Sequence, residues 1–523
     1  MAKKDIIIGI DAGTSILKAV AFTLNGKEIA SSSIKNIYNI SDDGNATQPL
    51  NTTWKNCIKI ILDIKKKIIN LKERLALISI TGQGDGTWLI DKKGNPVCDA
   101  WLWLDARSSE NVKKLSNLES DNARFNATGT ALFAGQQSCQ ISHMEEHDPG
   151  ILNQSATAFH CKDWLYYKLT NIRATDPSEA CFTFGNFRTK NYDESVINDL
   201  GLSKRKNLLP DIIDGSKTTH PLVNESANLL DLISGTPISL AYIDAVCTFL
   251  GSGGLDHNKN VGTSILGTTS GHMKASKINE IVPNLNLKSG YVMLLPIDNL
   301  ALQFQTSMSG TLNIDWLKLL VKDIFEEFDI HLDNKNFTNK IDHWVNKAKP
   351  GKIIYHPYIS EAGERGPFIN NDAKASLIGL RSNDKFPEIV RSFVEGLCFA
   401  ARECYTAIGA IPNEIRIVGG GFQSESIRKI FSSVLKVSVR QSNRLEAGAA
   451  GAAMIGAMSI GIYKDWNSCM EDWVNPLLGK INKHNEELSI IYDQVYKTYL
   501  ESRNKIMPLW EKIDSKLLSN NIH

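Results

Sequence analysis

The 523-residue sequence predicts an α/β protein of two large domains with a cleft between them. The first observation is length, because a single hydrophobic core stops growing well below this size. The second is that hydrophobic patterns of helical and of strand spacing alternate along the chain, as in α/β proteins. The third is that the second half restarts like the first, with a strand, a turn rich in Gly, Thr and Ser, and another strand. We therefore expect duplicated domains with a boundary near residue 256.

The first half opens with a predicted β-meander. Two strands meet at the turn Asp11-Ala12-Gly13-Thr14-Ser15, and Asn25-Gly26 is a hairpin signal that leads into a third strand. Apolar residues at helical spacing then precede a strand that ends in a glycine-rich loop. In chain order, the patterns predict strands at 6–10 and 18–24, a helix at 54–69, a strand at 77–81, helices at 159–169 and 225–233, and a strand at 238–243.

The second half repeats this order. In chain order, its patterns predict a strand at 261–266, a helix at 387–408, a strand at 415–418, another strand at 437–440 and a helix at 446–459. The run of Gly and Ala at 447–457 predicts that the last of these helices packs closely against a neighbour. From about Asn485 the sequence is charged and helical, and we expect 485–523 to form a peripheral helical extension.

The composition is that of an ordinary globular protein. Lys and Arg number 58 against 57 Asp and Glu, and this balance argues against a nucleic-acid or membrane-surface role. The first residues lead straight into a strand without a signal-peptide pattern, and no apolar stretch reaches the roughly 18 residues of a membrane span. The nine cysteines are scattered, without a Cys-x-x-Cys pair. We expect a cytoplasmic protein with reduced thiols.

The turn after the first strand has the composition of a phosphate-binding loop. Its backbone N–H groups can converge on a phosphate oxygen, a glycine allows close approach, hydroxyl side chains add donors, and an aspartate can hold Mg²⁺ through water. The residues concerned are Asp11, Gly13, Thr14 and Ser15, with Lys18 on the returning strand. An ordinary hairpin turn that contains Asp and Gly is the alternative explanation.

Two further glycine-rich turns strengthen the phosphate interpretation. Gly267-Thr268-Thr269 offers the same donors from the other half, so two hairpins can face each other across the cleft. Gly419-Gly420-Gly421 follows a strand and leads through Ser424 into a helix, and its missing side chains leave room for a purine or a ribose. The spacing is neither that of a Rossmann fold nor that of a Walker loop.

Taken in order, the motifs closely resemble those of the FGGY carbohydrate kinases, whose members include glycerol, xylulose, ribulose, rhamnulose and erythritol kinases. The resemblance spans about residues 5–465 and rests on Asp11-x-Gly-Thr-Ser-x-x-Lys18, Trp103-x-Asp105-x-Arg107, Lys162-Asp163-Trp164-Leu165, Asp244, Gly267–Gly271, Gly419–Gly421 and Glu446–Ala453. It implies two ribonuclease-H-like domains of the actin and sugar-kinase superfamily. Domain 1–256 would bind mainly the sugar, and domain 257–484 mainly ATP.

The resemblance also implies roles for single residues. Asp244, after the strand at 238–243, would be the base that accepts the proton of the attacking hydroxyl during phosphoryl transfer. Position alone would favour a helix N-cap, which is compatible with catalysis. Gly310 falls where the family brings a glycine-containing turn near the nucleotide, and a plain helix-entry turn is its alternative. We expect an ATP- and Mg²⁺-dependent kinase, and a homodimer because dimers are common in the family.

Substrate recognition is expected in the loop 81–88, which replaces the loops that distinguish glycerol and xylulose kinases. Gln83 and Asp85 supply polar groups, and a carboxylate can accept hydrogen bonds from two vicinal hydroxyls, as a polyol or open-chain sugar presents them. Trp103 is expected to pack on the carbon chain, and Asp105, oriented by Arg107, to accept another hydroxyl. These residues favour a small polyol or ketose.

Several segments refine or limit this hypothesis. The loop 83–88, the segment 101–107 and Gly363–Phe368 look most like the erythritol and L-xylulose kinase branch, which favours a four- or five-carbon substrate. Xylulose-, ribulose- and glycerol-type kinases, a non-catalytic sugar sensor and an actin- or chaperone-like ATPase remain alternatives. The spacing His143-x-x-Glu146-His147 fits a zinc motif, and we interpret it as chance because no third ligand is evident.

Overall fold

The computed structural model describes residues 4–41, 43–256, 259–330 and 334–513. The N-terminal half contains β1 (Ile6–Ala12), β2 (Ile16–Thr23), β3 (Glu28–Lys35), β4 (Asn39–Ile40), β5 (Ala46–Gln48), α1 (Leu50–Lys67), α2 (Leu71–Arg74), β6 (Leu75–Gly82), β7 (Trp88–Ile90), β8 (Ala100–Trp101), α3 (Ser109–Ser116), α4 (Asp121–Thr128), α5 (Gln137–His147), α6 (Pro149–Gln154), β9 (Thr157–Phe159), α7 (Cys161–Thr170), β10 (Ala174–Thr175), α8 (Pro177–Phe184), β11 (Gly185–Asn186), β12 (Asn191–Tyr192), α9 (Glu194–Asp199), β13 (Asp211–Ile212), β14 (His220–Pro221), α10 (Asn224–Leu230), β15 (Pro237–Leu240) and α11 (Asp244–Gly251).

The C-terminal half begins its regular structure at Val261. It contains β16 (Val261–Leu266), β17 (Ser270–Lys277), β18 (Tyr291–Leu294), β19 (Leu300–Ser307), α12 (Leu312–Glu326), α13 (Asn334–Lys347), β20 (Ile354–His356), β21 (Ser376–Ile378), α14 (Phe386–Ala407), β22 (Glu414–Val418), α15 (Glu425–Leu435), β23 (Ser438–Ser442), α16 (Ala447–Ser459), α17 (Trp466–Trp473), β24 (Leu478–Asn482) and α18 (Glu486–Trp510).

Each half is organised around one large mixed sheet. The first has the strand order β14-β15-β6-β1-β2-β3, and the second has the order β18-β19-β17-β16-β22-β23-β24. In both, an antiparallel meander (β1-β2-β3 or β16-β17-β19) is followed on the other side of its first strand by two parallel strands (β6 and β15, or β22 and β23). This repetition confirms the predicted duplication and the two-domain α/β fold.

The strand β1 shows how the sequence divides into two cores. Its side chains alternate between the faces of the sheet, so that Ile6, Ile8 and Ile10 join a core with α1 and α7. Ile7 points the other way, into a core that contains α11 and α16 and residues of both sheets. A third core, around α14, α15 and α18, covers the far face of the second sheet.

The helices α11 and α16 lie backbone against backbone between the two sheets. A Cβ on Gly451 would lie 1.9 Å from the carbonyl oxygen of Cys247, and a Cβ on Gly251 would lie 2.0 Å from that of Ala447. A Cβ on Gly9 of β1 would likewise lie 2.1 Å from the carbonyl oxygen of Ala449. The small residues of α16 therefore serve close packing, as predicted.

The predicted elements are confirmed with end shifts of a few residues, but the C-terminal helix is not peripheral. Tyr492, Tyr499 and Trp510 of α18 are buried, and Tyr492 accepts a hydrogen bond from Arg391 at 2.7 Å. The charged residues of this helix alternate with aromatic residues that belong to the core, which the overall polarity of the segment conceals. Residues 257 and 258, next to the predicted boundary, and 514–523 of the predicted extension lie outside the described residues.

No helix in the described part of the chain is both long and apolar enough to cross a membrane.

Candidate active site

A cavity of about 220 Å³ lies between residues of the two halves. The N-terminal half contributes Thr14, Asp85, Trp103 and Asp244, and the C-terminal half contributes Thr269 and Arg365. Both predicted phosphate hairpins therefore reach this cavity, through Thr14 and Thr269. Its volume is below the roughly 300–1,000 Å³ of most ligand pockets, which suits a small ligand.

Asp244 is the first residue of α11, and residues 241–243 join it to the end of the short strand β15. The backbone leading to it is fixed, since the N–H of Ala241 donates to the carbonyl of Ile80 at 2.9 Å and the N–H of Ile243 donates to the Ser178 hydroxyl at 3.2 Å. Ile243, not Asp244, occupies the N-cap position. Burial, and next the negative charge of Asp11, raise the pKa of Asp244 to about 7. A carboxylate with such a pKa is suited to accept a proton near neutral pH.

Asp11 lies near the end of β1, paired across the hairpin with Lys18 on β2. Burial raises the pKa of Asp11 to about 6, against the opposing charge of Lys18. A side chain at Gly448 would place its Cβ 2.4 Å from Asp11 Oδ2, so the glycine leaves room for the carboxylate. Among the described residues, no three or more His, Cys, Asp or Glu side chains are grouped as direct metal ligands. A metal ion at Asp11 would therefore need water or phosphate oxygens as its other ligands.

The first hairpin turn is connected to the predicted substrate loop. Thr14 donates its hydroxyl to Gln83 Oε1 at 2.9 Å and accepts from Trp103 Nε1 at 2.8 Å. Gln83 in turn donates to Gln48 Oε1 at 3.3 Å. The Gln83 amide and the Trp103 indole N–H are thus engaged within the protein. The Trp103 ring still lines the cavity, as a residue that packs on a carbon chain would.

The first hairpin contains three more residues that are predicted to hold phosphate. Gly13 and Ser15 form the rest of the turn, and the Gly13 carbonyl accepts from Asn36 at 2.7 Å. Lys18 forms a 2.8 Å ion pair with Glu446, the residue before α16, and the pair lines a separate recess. The structure thus connects Lys18 to the C-terminal half and does not bring it to the cavity that contains Asp244.

The second hairpin, the Gly310 turn and the glycine triplet pack together as one wall. A Cβ on Gly310 would lie 2.4 Å from the carbonyl oxygens of Gly267 and Thr268, so only glycine fits there. Gly419 has a φ of +101°, and Gly421 packs on Leu266 of β16. No atom would lie within 4 Å of a Cβ on Gly420, whose exposed backbone remains open to a ligand.

Ser424 has a structural role beside this wall. Its hydroxyl accepts from the backbone N–H of Ile427 at 3.1 Å, so Ser424 is the N-cap of α15. The same hydroxyl donates to Asp342 on α13. These two hydrogen bonds explain the position of Ser424 without a ligand, so its contact with the nucleotide stays a prediction.

The substrate loop adopts an unusual backbone around Asp85. Asp85 has a φ of 56° and Gly86 a φ of 71°, and a side chain at Gly84 would collide with Ile243, with its Cβ 2.0 Å from Cδ1. The Asp85 carboxylate is buried, and its Oδ1 has no hydrogen-bond partner. Burial raises the pKa of Asp85 well above its usual range. Left-handed residues and unpaired buried acceptors are features that occur often at functional sites.

A buried network of charges holds both Asp85 and Asp244 in place. The Lys162 ammonium, fully buried on α7, forms 2.7 Å ion pairs with Asp163 and Asp176. Asp176 caps α8 and accepts from the Ser178 hydroxyl, which itself accepts from the N–H of Ile243. Glu179, also on α8, accepts from the N–H of Asp85 at 3.4 Å. The network that includes Lys162 therefore fixes the backbone at Asp85 and at Ile243, next to Asp244.

Asp105 lies beside the cavity that contains Asp244 and lines a second cavity. Its carboxylate accepts from Arg107 Nη2 at 2.6 Å and from the N–H of Ala46 at 2.8 Å, and its side chain is fully buried. The Arg107 guanidinium stacks 3.3 Å from the centre of the Trp101 ring. Asp105 lines an adjoining cavity of about 190 Å³ that shares Trp103 and Arg365 with the first. Its binding of substrate stays a prediction.

Sequence reasoning missed several residues that line the cavity, among them Phe133, Tyr291 and Arg365. Arg365 could have been found from the sequence, because the segment Gly363–Phe368 resembles the erythritol and L-xylulose kinase branch. The resemblance did not indicate a role for the arginine. Phe133 and Tyr291 carry no motif, and their rings meet edge to face 6.0 Å apart only in the folded chain.

The His143 and His147 rings stack 4.1 Å apart on α5. Glu146 is engaged by Lys114 and by Asn111, while His143 Nδ1 lies 2.9 Å from Asn111 Oδ1. Helix α5 braces the substrate loop instead, since Gln140 accepts from Thr87 at 2.7 Å and donates to the Leu102 carbonyl at 2.8 Å.

Known proteins resemble this chain over nearly all of its length. The N-terminal domain of the FGGY family of carbohydrate kinases matches residues 6–251, and the C-terminal domain of that family matches residues 262–460. An erythritol kinase from Brucella abortus is 48% identical over 514 residues, which cover 98% of each chain. A xylulose kinase from Staphylococcus xylosus is 25% identical over 487 residues, covering 90% of this chain and 94% of the relative. The crystal structure of a xylulose kinase from Lactobacillus acidophilus superposes with a TM-score of 0.88 at 20% identity, covering 97% of this chain and all of that one.

Proposed function

The chain belongs to the FGGY family of carbohydrate kinases, and from this premise we propose that it transfers a phosphoryl group from ATP to a hydroxyl of erythritol. The reaction class is that of the family, an ATP-dependent phosphorylation of a polyol or ketose. The choice of erythritol rests on the 48% identity with an erythritol kinase over 98% of both chains. Ketoses of the xylulose type are the second candidate, because xylulose kinases are more distant relatives.

The proposed base is Asp244, and one observation carries this assignment. Asp244 is the carboxylate in the cavity whose pKa lies at about 7, where a base is ionised at neutral pH yet still takes up a proton as the hydroxyl attacks. Phosphoryl transfer asks the protein mainly for alignment and charge stabilisation. The rigid strand end and the N-terminus of α11 supply the alignment.

Thr14, Ser15, Thr268 and Thr269 are proposed to hold the phosphates, with the adenosine near Gly420 and Gly421. The open space over Gly420 supports this location, and the two hairpins reach the cavity from opposite halves. Lys18 would contribute positive charge from the first hairpin if its pairing with Glu446 were released on nucleotide binding. Gly310 supports the second hairpin by its close packing.

We propose that Mg²⁺ accompanies ATP and is held by Asp11 through water. The fit rests on the chemistry of the donor, because Mg²⁺ prefers carboxylate and water oxygens and keeps several waters. Burial has raised the pKa values of Asp11 and Asp244 to about 6 and about 7, and a nearby cation would lower both. The metal when bound neutralises charge on the phosphates. A cytoplasmic location and a homodimer are further proposals, the second to be checked by light scattering.

The substrate would lie between Asp85 and the aromatic wall of the cavity. The unpaired, buried Asp85 Oδ1 is an acceptor for substrate hydroxyls, and the rings of Trp103, Phe133 and Tyr291 line the space for the carbon chain. A carboxylate beside apolar rings matches a polyol, whose hydroxyls donate while its C–H groups contact the rings.

The test is a coupled ADP-release assay over erythritol, L-xylulose, D-xylulose, ribulose and glycerol. Erythritol is expected to give the highest kcat/KM, and a higher value for a ketose would contradict the substrate assignment. The variant Asp244→Asn should bind ATP as the wild type does while losing at least about 10²-fold in kcat. The exposed Asp298→Asn is the matched control and should retain full activity. Turnover retained by Asp244→Asn would overturn its role as base.

A further inference from the structure

We propose that Arg365, from the C-terminal half, completes the substrate site by donating hydrogen bonds to the same substrate that Asp85 binds from the N-terminal half. This inference rests on the proposed function and deepens it. Of the described residues that line the cavity, Arg365 is the only basic one. Its guanidinium lies near the carboxylate of Asp85, whose pKa it lowers against the larger raising effect of burial.

The two side chains line the same cavity without a direct contact. Among the described contacts, no hydrogen bond or ion pair joins Arg365 to Asp85, and Asp85 Oδ1 has no hydrogen-bond partner. An ionised carboxylate can only accept hydrogen bonds and a guanidinium can only donate them. A hydroxyl group does both, so a polyol hydroxyl between them would donate to Asp85 and accept from Arg365. The opposed pair is therefore complementary to a hydroxylated chain and not to an anion alone.

The buried carboxylate of Glu364 fixes the backbone of Arg365 through hydrogen bonds. Glu364 is fully buried, and it accepts from the N–H of Met308 and of Arg365, each at 2.8 Å. It also accepts from the hydroxyls of Ser307 and Ser309, at 2.9 and 2.8 Å. Rigid anchoring of this kind is what a binding residue requires.

The same anchor connects Arg365 to the proposed nucleotide wall. Ser309 precedes the Gly310 turn, its carbonyl accepts from the Ser270 hydroxyl at 2.8 Å, and Thr311 donates to the Gly267 carbonyl at 2.7 Å. The guanidinium also stands 5.7 Å from the centre of the Phe133 ring, a contact from one half to the other. Arg365 therefore reaches the cavity from a loop that is hydrogen-bonded to the wall containing the second phosphate hairpin.

The proposed contact has a kinetic signature. Loss of hydrogen bonds from a charged donor to a substrate hydroxyl weakens binding by about 10- to 100-fold. We expect Arg365→Met to raise the KM for the polyol by this factor, with the KM for ATP changed by less than about threefold. Arg365→Lys should recover part of the loss. The exposed Arg381→Met is the control, expected to behave as the wild type.

Substrate analogues separate a hydrogen bond from a merely structural effect. The variants are assayed with whichever substrate of the panel the wild type uses best, and with analogues of it that each lack one hydroxyl, which for erythritol are butane-1,2,3-triol and butane-1,2,4-triol. If Arg365 binds a hydroxyl, the KM penalty of Arg365→Met shrinks for the analogue without that group. A penalty of equal size for all substrates, or a KM unchanged from that of the wild type, overturns the proposal. Calorimetric binding of ATP to each variant verifies that the C-terminal half is folded.

Failure of this inference is distinct from failure of the proposed function. A wild type that uses a ketose best contradicts the erythritol assignment, while Arg365 is still tested on that ketose. An active wild type with an Arg365→Met variant that matches Arg381→Met contradicts only the inference. A wild type without turnover on the whole panel overturns both.

Discussion

Lys162→Met is expected to be among the most damaging single substitutions in the N-terminal half. The Lys162 ammonium is fully buried and forms 2.7 Å ion pairs with Asp163 and Asp176, both also fully buried. Methionine has a similar length and apolar volume, so it fills the space but leaves both carboxylates without their counter-charge. Removing one partner of a buried ion pair costs about 3–5 kcal/mol. For a domain of this size, such a loss lowers Tm by on the order of 10 °C.

The loss should depend on pH in a direction that the structure fixes. Burial by itself raises the pKa of Asp163, but Lys162 brings it down to about 2. In the wild type, Asp163 therefore contributes stability that is present above its unfolded pKa of 3.8 and is lost as pH falls toward 2. Without Lys162, burial would leave the pKa of Asp163 above its usual value. The ionised carboxylate then destabilises the variant at pH 7, and protonation relieves the destabilisation as the pH falls.

Thermal unfolding monitored between pH 8 and pH 5 measures both effects. The control is Lys168→Met on the same helix, whose Nζ stands 5.4 Å from the centre of the Trp164 ring, so that its loss costs only about 0.5–1 kcal/mol. A Tm for Lys162→Met within about 2 °C of the wild type at pH 7.5 would refute the reasoning. So would a difference from the wild type that stays the same at pH 5.

Two further outcomes follow from the site and its packing. The kcat/KM of the wild type for MgATP, which reports on the enzyme before the metal binds, should fall about tenfold per pH unit below pH 7 as Asp244 takes up a proton, and more steeply below pH 6 as Asp11 does; a profile flat between pH 5 and pH 8 would contradict the assigned base. Gly451→Ala, with its Cβ 1.9 Å from the Cys247 carbonyl oxygen, should lower stability by about 1–3 kcal/mol and reduce kcat. Gly150→Ala is its helical control, since the nearest atom is a flexible carboxylate oxygen 3.2 Å away, and equal effects of the two in chemical denaturation would contradict the packing argument.

Hydrophobic periodicity was sufficient for the central strands of both sheets and for the helices α1, α7 and α14, but it gave no prediction for α12 and α13. Val261–Leu266 was predicted to the residue, because this short segment lies between two turn signals, Asn258-Lys259-Asn260 before it and Gly267–Gly271 after it. The helix from Asn485 was predicted correctly as a helix and wrongly as peripheral. Its burial depends on tyrosines whose hydroxyls find partners such as Arg391 in distant sequence, and no local pattern reports such a partner.

Some site residues could be named from the sequence, and others became evident only in the folded structure. Asp244 and Asp85 were named because the resemblance to the FGGY kinases gives a role to these two positions, and the structure brings both residues to one cavity. Arg365 is 280 residues from Asp85 in a loop between short strands, so its approach to the cavity arises only from the packing of the two halves. Single-sequence reasoning names the residue types that a reaction needs, but it does not supply the distances that decide which of them meet.

The position of Asp244 depends on both halves of the chain, and this bears on how the cleft can move. Its helix, α11, lies so close to α16 that a Cβ on Gly451 would meet the backbone of Cys247. Two backbones in such contact cannot slide past each other without breaking it, because close-packed interfaces do not deform continuously. At the cavity, by contrast, Arg365 and Asp85 come from different halves and no hydrogen bond or ion pair among the described contacts joins them. We therefore expect movement between the halves to be easiest at the cavity, while Asp244, the proposed base, stays fixed at the contact between α11 and α16.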